Sequence, residues 1–212
     1  YITAGDSGNP GKNSPYWIGR ERGAQAAYAN MLGFADSWTV SPLDLGDGSV
    51  LGYASPRDKA YEDRVSLMFF RLPDGNLNGN GFAVNKNLSL HKISQDAKLR
   101  IQSVDDDASY SYSSLTDTIA MIMMMFQPDQ INTHAMSGRG VPRDHSDHTA
   151  VGRLAAAATA KYKEWYADDP TLHKQPQQKY YIGYPVMNNP KNVGASDLAR
   201  KQAIFMAYAQ YD

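Results

Sequence analysis

The densest group of ionisable side chains lies in one short stretch, residues 143–148, which reads Arg-Asp-His-Ser-Asp-His. Two of the five histidines of the chain, His145 and His148, stand in it three positions apart. At the start of a helix, this spacing puts both rings at neighbouring positions on one face. Histidine binds zinc through a neutral ring nitrogen and also donates a proton near neutral pH. The stretch therefore suits a metal ligand with an acid or base beside it; the alternative is an ordinary polar helix start with exposed histidines.

Three further polar residues, Asp6, Asp74 and His134, each follow a predicted strand. In an open α/β sheet, ligands bind beyond the carboxyl ends of the strands, so we expect these residues to converge with residues 143–148. Asp6 and Asp74 have a simpler interpretation as turn formers, and His134 as a locally satisfied histidine at a strand end. Tyr180, Tyr181 and Tyr184 suit a sugar-binding site, although a half-buried strand explains them equally well.

Several other chemistries lack the residues that they need. The chain has no cysteine, which excludes disulfides, thiolate catalysis and cysteine-ligated zinc. It also has no G-x-G-x-x-G loop after its first predicted strand, no Walker lysine and no G-x-S-x-G elbow. The net charge of -1 leaves no basic footprint, so nucleic acid is not expected as a partner.

The hydrophobic pattern predicts helices that alternate with strands, and therefore an α/β domain with a mainly parallel sheet. The first forty residues are typical of a βαβ unit, and residues 43–54 indicate a hairpin. Asp144 or Ser146 is the expected N-cap of the long helix, and Ser113 or Ser114 that of the helix before it. A loop is predicted over 135–143. The predicted strands cover 1–4, 37–40, 65–72, 99–104, 130–134 and 179–182, and the predicted helices cover 24–32, 115–126, 151–165 and a segment that begins at Ser196.

No segment of the sequence is long and apolar enough to predict a membrane span. The longest apolar block covers residues 119–126 and ends at Gln127-Pro128, well short of the roughly 18 apolar residues that a span requires. We therefore do not expect an integral membrane protein. Secreted and cytoplasmic locations both stay open.

The segment 144–152, Asp-His-Ser-Asp-His-Thr-Ala-Val-Gly, resembles the H-x-D-H segment of the PIG-L/LmbE-like family. Members of that family are zinc-dependent de-N-acetylases that act on N-acetylglucosaminyl compounds. The resemblance covers nearly the whole chain, and it implies a Rossmann-like three-layer α/β fold in one domain, 1–212. The other stretches that are similar to a microbial branch of the family are 1–8, 16–21, 71–75, 181–185 and 198–201.

The resemblance implies catalytic roles for three residues. His148 matches the family's histidine ligand to zinc, or to another divalent metal. His145 matches the histidine that stabilises the tetrahedral intermediate and protonates the leaving amine, and Asp147 would tune His145. The implied reaction is hydrolysis of the acetamide of an N-acetylglucosamine-type sugar or glycoconjugate.

The resemblance also implies a substrate-binding set. Asp74 and either Arg20 or Arg22 fall near positions that contact the sugar in relatives, although the arginines are out of register here. We add His134 to this set because it follows a strand. The expected partner is an N-acetylated amino sugar or glycoconjugate, and a homo-oligomer is compatible with this function.

One family motif is missing from the chain. The other two zinc ligands and the catalytic base of the family come from an H-P-D-D segment, which does not occur here. Residues 1–4 resemble the family's second strand, so we expect a preceding segment that carries this motif. The alternative is a relic of the family that binds carbohydrate without catalysis.

Overall fold

The structure is a computed structural model, and it describes residues 1–136, 143–167 and 175–212. Helices and small sheets alternate along these residues, which confirms the mixed α/β class. The helices are α1 Pro15–Leu32, α2 Leu90–Ile93, α3 Tyr112–Phe126, α4 Ser146–Tyr166 and α5 Ala195–Ala209, and two 3₁₀ turns cover Ala83–Asn85 and Tyr184–Asn188. The strands are β1 Trp38–Asp44, β2 Val50–Pro56, β3 Leu67–Phe69, β4 Ile101–Gln102, β5 Ser109–Tyr110, β6 Gln130–His134 and β7 Gln177–Tyr181.

The sheets are short and mostly antiparallel. Strands β1, β2 and β3 form an antiparallel sheet in that order, and β4 pairs with β5 in the same sense. In the part of the chain that the structure describes, parallel pairing is limited to β6 with β7 and to one bridge between Thr3 and Leu72. The mainly parallel, Rossmann-like sheet is therefore not confirmed.

The prediction of a βαβ unit over the first forty residues is wrong, whereas the hairpin at 43–54 is confirmed. Strand β1 turns back into β2, and the two run antiparallel from Trp38 opposite Pro56 to Asp44 opposite Val50. Gly46 and Gly48 close the turn at φ angles of 78° and 85°, which glycine adopts without strain. This turn pairs β1 with the strand that follows it, while residues 1–4 pair with residues 68–72 through backbone hydrogen bonds and the bridge between Thr3 and Leu72.

The chain divides into two compact units, of which unit 1 comprises Tyr1–Pro73, Ser103–Ala108 and Pro190–Asp212. Helix α1 begins with Pro15 and is closed, as predicted, by Gly33 in the left-handed conformation. It packs against α5 and shares a core with the β1–β2–β3 sheet. That core buries Ala24, Ala29, Trp38, Ala54, Leu67 and Phe69. The assignment of 1–212 to one deacetylase domain stays a prediction.

Unit 2 comprises Asp74–Gln102 and Ser109–Asn189. Helix α3 packs on α4, and α4 packs on β6. Their shared core buries Ala120, Met123, Ala158 and Tyr162. Much of the loop that was predicted for 135–143 lies outside the described residues.

The caps of two helices in unit 2 differ from the prediction. Helix α3 is capped by Ser111, whose Oγ accepts a hydrogen bond from the Ser114 backbone N–H at 3.1 Å. Helix α4 is capped by His145 rather than by Asp144 or Ser146. The reason is that Asp144 accepts hydrogen bonds from other segments and Ser146 Oγ donates to the Asn76 carbonyl oxygen.

The parallel pair β6–β7 and the start of α4 position the candidate site. His134 and Tyr181 lie opposite each other at the carboxyl ends of the two strands. Gly152 lets α4 approach this edge, because a side chain there would collide with the backbone carbonyl of His134. None of the helices in the described residues has both the length and the apolar character that crossing a bilayer requires.

Candidate metal centre

Three side chains from different parts of unit 2 come together at the end of β6 and the start of α4. His134, Asp144 and His148 each offer one ligand atom, and these atoms all lie within 4.8 Å of one another. Two imidazole nitrogens and a carboxylate oxygen are a donor set that suits zinc and several other divalent metals. The sequence predicted only His148 as a ligand, and the structure places His134, expected as a substrate-binding residue, beside it.

The Asp144 carboxylate is held by four hydrogen bonds. Its Oδ2 accepts from the Gly183 N–H at 2.6 Å, and its Oδ1 accepts from the N–H groups of His145 at 2.8 Å and Tyr184 at 3.2 Å. His148 Nδ1 lies 2.9 Å from the same Oδ1. Burial alone would raise the pKa of Asp144, but the bonds from His145, His148 and Gly183 outweigh it and lower this pKa. The carboxylate is therefore ionised at neutral pH.

Ionised Asp144 sets the tautomer of His148. A carboxylate accepts hydrogen bonds, so the neutral tautomer of His148 that fits this contact has its proton on Nδ1 and its lone pair on Nε2. This arrangement is the one in which a carboxylate orients a metal-binding histidine. Gly183 is required beside it, because a side chain at this position would collide with His148 Nδ1 and Asp144 Oδ2.

His134 has an unused nitrogen. Its Nδ1 is buried and has no hydrogen-bond partner among the residues that the structure describes. Burial and the neighbouring His148 lower the pKa of His134, against the opposing effect of Asp144, so the ring is neutral at pH 7. A buried polar atom without a partner is rare in native proteins, and a neutral imidazole is the form that binds a metal.

The ligand types suit a divalent ion, but the imidazole rings of His134 and His148 do not both point their nitrogens at a single metal position. The rings of His134 and His148 are stacked, with centroids 4.1 Å apart and planes inclined by 3°. The nitrogen lone pairs of an imidazole lie in the ring plane, and zinc–nitrogen bonds are about 2.0–2.1 Å long. One of the two rings must therefore turn before both can bind the same ion.

His145 lies next to this group and presents a donor. Its Nδ1 accepts from the Asp147 backbone N–H at 3.2 Å, so the neutral ring carries its proton on Nε2. Nε2 lies 3.9 Å from Oδ1 of Asp74. Burial lowers the pKa of His145, and Asp74 opposes this shift. The structure thus brings together His145 and Asp74, two residues that the sequence assigned to the site separately.

Asp147 is buried and connects α4 to the turn that follows Asp74. Its Oδ2 accepts a hydrogen bond from the Gly75 N–H at 3.0 Å, and a side chain at Gly75 would collide with its Oδ1. The contact with His145 is made by the backbone N–H of Asp147 rather than by its carboxylate. Tuning of His145 by this carboxylate stays a prediction.

A cavity of about 500 Å³ opens beside His145. It falls within the roughly 300–1,000 Å³ that is usual for ligand pockets. The Tyr184 ring lines the cavity together with His145, and its centroid lies 5.1 Å from that of His148 and 6.1 Å from that of His145. Other lining residues are Leu77, Asn78, Arg143, Pro185, Met187 and Asn188.

Sequence reasoning missed Asp144 as a ligand candidate and gave Gly183, within the stretch 181–185, no role of its own at the site. Asp144 was considered only for capping or for orienting the histidines. Gly183 lies two residues after Tyr181 at the end of β7, so a search of all strand ends for polar groups and glycines would have found it.

The remaining predicted site residues belong to unit 1, where each has local contacts. Arg20 Nε donates to Asp212 at 3.0 Å, and Arg22 forms an ion pair with Asp36 at 3.2 Å. Asp6 is fully buried. Arg20 also lines a cavity of about 190 Å³ in this unit. Sugar binding by Arg20 or Arg22 stays a prediction.

Comparison of the chain with protein-family models, curated proteins and solved structures gives no match in any of the three. The resemblance to the PIG-L/LmbE-like family therefore depends on the sequence motifs alone. Function has to be argued from the geometry of the site.

Proposed function

We propose that this protein is a metal-dependent amidohydrolase that removes the acetyl group from an N-acetylglucosamine-type sugar or glycoconjugate. The observation that carries the proposal is the group of donor atoms on His134, Asp144 and His148, with His145 beside it and both Asp144 and His145 in the lining of the cavity. The group lies at the carboxyl ends of the parallel pair β6–β7, where α/β proteins bind ligands. We propose a Rossmann-like arrangement on the same ground.

His134, Asp144 and His148 would hold Zn²⁺ or another divalent ion. Such an ion, when bound, polarises the acetyl carbonyl and lowers the pKa of a water molecule. The unpartnered Nδ1 of His134 and the ionised carboxylate of Asp144 support this assignment. With this assignment, His134 and Asp144 take the place of the two zinc ligands that the family draws from its H-P-D-D segment.

His145 would act on the other side of the scissile bond. Its Nε2–H donates a hydrogen bond to the developing oxyanion. The attacking water gives one proton to the carboxylate of Asp74, whose Oδ1 lies 3.9 Å from Nε2, and His145 gives its Nε2 proton to the departing nitrogen and takes that proton in its place. The carbon–nitrogen bond breaks with its electron pair on nitrogen, and water supplies the new oxygen of acetate.

The test is acetate release from N-acetylglucosamine derivatives by the zinc-loaded protein. We expect release that a chelator stops and that H148A loses. H91A is the matched control, because His91 lies on α2 and is absent from the donor group. The proposal fails if no acetate is released and H148A binds zinc as the wild type does.

A non-catalytic carbohydrate-binding protein is the second candidate. The exposed ring of Tyr184 at the cavity favours it, since aromatic rings present a flat apolar face that sugars can pack on. This candidate requires no metal. Calorimetry with an N-acetylglucosamine glycoside separates the two, because the relic binds the sugar equally well with and without a chelator and releases no acetate.

A further inference from the structure

Asparagine is followed by glycine at two places in the chain, Asn78–Gly79 and Asn80–Gly81. In this sequence the backbone nitrogen of the glycine can attack the side-chain amide carbon of the asparagine. Glycine permits the attack because it has no side chain to hinder it. Both asparagines are exposed to water, so the sequence and the exposure do not distinguish the two.

The structure distinguishes the two places by the hydrogen bond of the attacking nitrogen. The Gly81 N–H donates to the Gly75 carbonyl oxygen at 2.9 Å, a bond of normal length that closes the loop 75–81. Attack by the Gly81 nitrogen would break this bond. The Gly79 N–H lies 3.3 Å from the Asn76 carbonyl oxygen, beyond the usual range of about 2.7–3.2 Å. The nitrogen of Gly79 is therefore held more weakly than that of Gly81.

The side chain of Asn78 is also positioned for the attack. Its Oδ1 accepts a hydrogen bond from the Asn80 N–H at 3.0 Å. Negative charge develops on this oxygen when a nitrogen adds to the amide carbon, and a backbone N–H that is already in place stabilises that charge. The same bond restricts rotation of the side chain and keeps its amide carbon beside the backbone.

We propose that Asn78 is a self-modification site, at which the Gly79 nitrogen attacks the side chain and water converts the amide into a carboxylate. The Gly79 nitrogen loses its proton to a hydroxide ion and bonds to Cγ of Asn78. The bond from Cγ to Nδ2 breaks with its electron pair on nitrogen, which takes a proton from water and leaves as ammonia. Water then opens the cyclic imide at either carbonyl, which gives aspartate or isoaspartate. The reaction needs neither a metal nor a sugar, so it is independent of the proposed function.

The product changes the charge of the candidate site. Asn78 lines the cavity of about 500 Å³ beside His145, and its neutral amide becomes a carboxylate there. Isoaspartate also adds a methylene group to the backbone of the loop 75–81, which follows Asp74. The lining of the cavity therefore becomes more negative as the protein ages.

The test follows the native full chain over time in warm, mildly alkaline buffer made with heavy-oxygen water. Modification of the folded protein incorporates the heavy oxygen, whereas modification during a later digestion in ordinary water does not. Mass spectrometry of the tryptic peptide 72–86 assigns the label to Asn78 or to Asn80. We expect Asn78 to be labelled about tenfold faster, which is the factor that one net hydrogen bond represents.

The chain unfolded in urea is the reference, because both asparagines then differ only in their neighbours along the sequence. There we expect similar rates at Asn78 and Asn80. N78Q should abolish labelling at its position, since glutamine would have to form a larger ring. N80Q is the matched control, because it keeps the backbone N–H that donates to Asn78, and it should leave the labelling of Asn78 unchanged.

Equal labelling of the two asparagines in the native chain, or faster labelling of Asn80, overturns the proposal. So does a native chain in which Asn78 stays unlabelled for as long as the unfolded chain needs to be labelled completely. Acetate release by the zinc-loaded protein does not affect either result. The modification and the hydrolase function can therefore fail separately.

Discussion

Nδ1 of His148 lies 2.9 Å from Oδ1 of Asp144, four residues earlier in the chain. Asp144 precedes α4 and His148 lies in its first turn, so the bond joins the approach to the helix with the helix itself. The same carboxylate accepts from Gly183 and Tyr184, which follow β7. Asp144 thereby ties a strand end to a helix start and orients the ring that the sequence predicts as a metal ligand.

The first prediction concerns this carboxylate. D144N should weaken zinc binding at least about 10- to 100-fold, the range found when a residue that orients a metal-binding histidine is replaced. The amide cannot supply an anionic oxygen and can turn its NH₂ toward His148. Zinc titration by calorimetry measures the effect, with D117N on α3 as the control. Unchanged affinity in D144N would show that Asp144 has no part in a metal site.

The second prediction concerns Gly183. G183A should lose most of the zinc affinity, because its methyl group would meet His148 Nδ1 and Asp144 Oδ2. The far-ultraviolet circular dichroism should be unchanged, since the collision is confined to the site. G194A is the matched control, because a side chain there meets open space. Equal zinc affinity in both variants contradicts the proposed geometry.

The third prediction tests His134, which the sequence assigned to substrate binding. Zinc at 100 times its Kd should stabilise the wild type by about 2.7 kcal/mol. In H134A this gain should be smaller, because the imidazole of His134 no longer offers a ligand atom. Thermal unfolding with and without zinc measures the difference, and H91A should behave like the wild type. An undiminished gain in H134A would leave His134 outside the metal site.

The fourth prediction concerns the stability of unit 2. Replacing glycine by alanine in a helix normally stabilises it by about 0.5–1 kcal/mol. G152A should instead destabilise, by about 1–3 kcal/mol, because the methyl group meets the His134 carbonyl where α4 packs on β6. Urea unfolding provides the measurement. A stabilised G152A would show that α4 does not approach the strand end so closely.

The fifth prediction concerns pH and the ion-pair network of unit 1. Arg71 donates to Glu21 at 2.7 Å and to Asp105 at 2.7 Å. Burial would raise the pKa of Asp105, but bonds from Ser103 and Arg71 outweigh it and lower this pKa. A lowered pKa contributes stability above the unfolded value of about 3.9, and that contribution is lost as the pH falls through the folded value.

D105N should therefore lose less free energy of unfolding than the wild type when the pH falls below about 4. Burial raises the pKa of Glu21, which acts in the opposite direction, and the charge of Asp105 adds to that rise, so the comparison reports Asp105 together with its effect on Glu21. D106N is the control, because Asp106 is exposed and has the left-handed backbone that asparagine tolerates. Equal acid dependence in D105N and the wild type would contradict the pairing with Arg71.

Much of the local structure could be predicted from the sequence. The period of apolar residues predicted α1, α3 and α4, and Gly33 marks the end of α1 as expected. The hairpin followed from its glycine-rich turn, and β6 has its predicted bounds. These features depend on residues a few positions apart, so a local pattern contains enough information to predict them.

Sheet topology could not be predicted in the same way. The alternation of helices and strands predicted mainly parallel pairing, whereas β3 adds to the predicted hairpin of β1 and β2 in the antiparallel sense. Strand pairing depends on which faces are buried and on the geometry of the connecting turns. Neither can be read from a single segment of the sequence. The N-cap of α4 could not be predicted for the same reason. Asp144 does not cap the helix because its carboxylate accepts a hydrogen bond at 2.6 Å from the N–H of Gly183, which lies far along the chain.

The sequence by itself determined which chemistry is available: histidine and carboxylate donors, no thiols, and a dense polar stretch at a helix start. Only the tertiary structure decided which donors meet. His134 and Gly183 are 49 residues apart, yet both lie beside His148 because β6 and β7 pair in parallel and α4 packs against their ends. Such proximity depends on strand pairing and helix packing between distant segments. The sequence motif alone therefore could not predict which residues form the site.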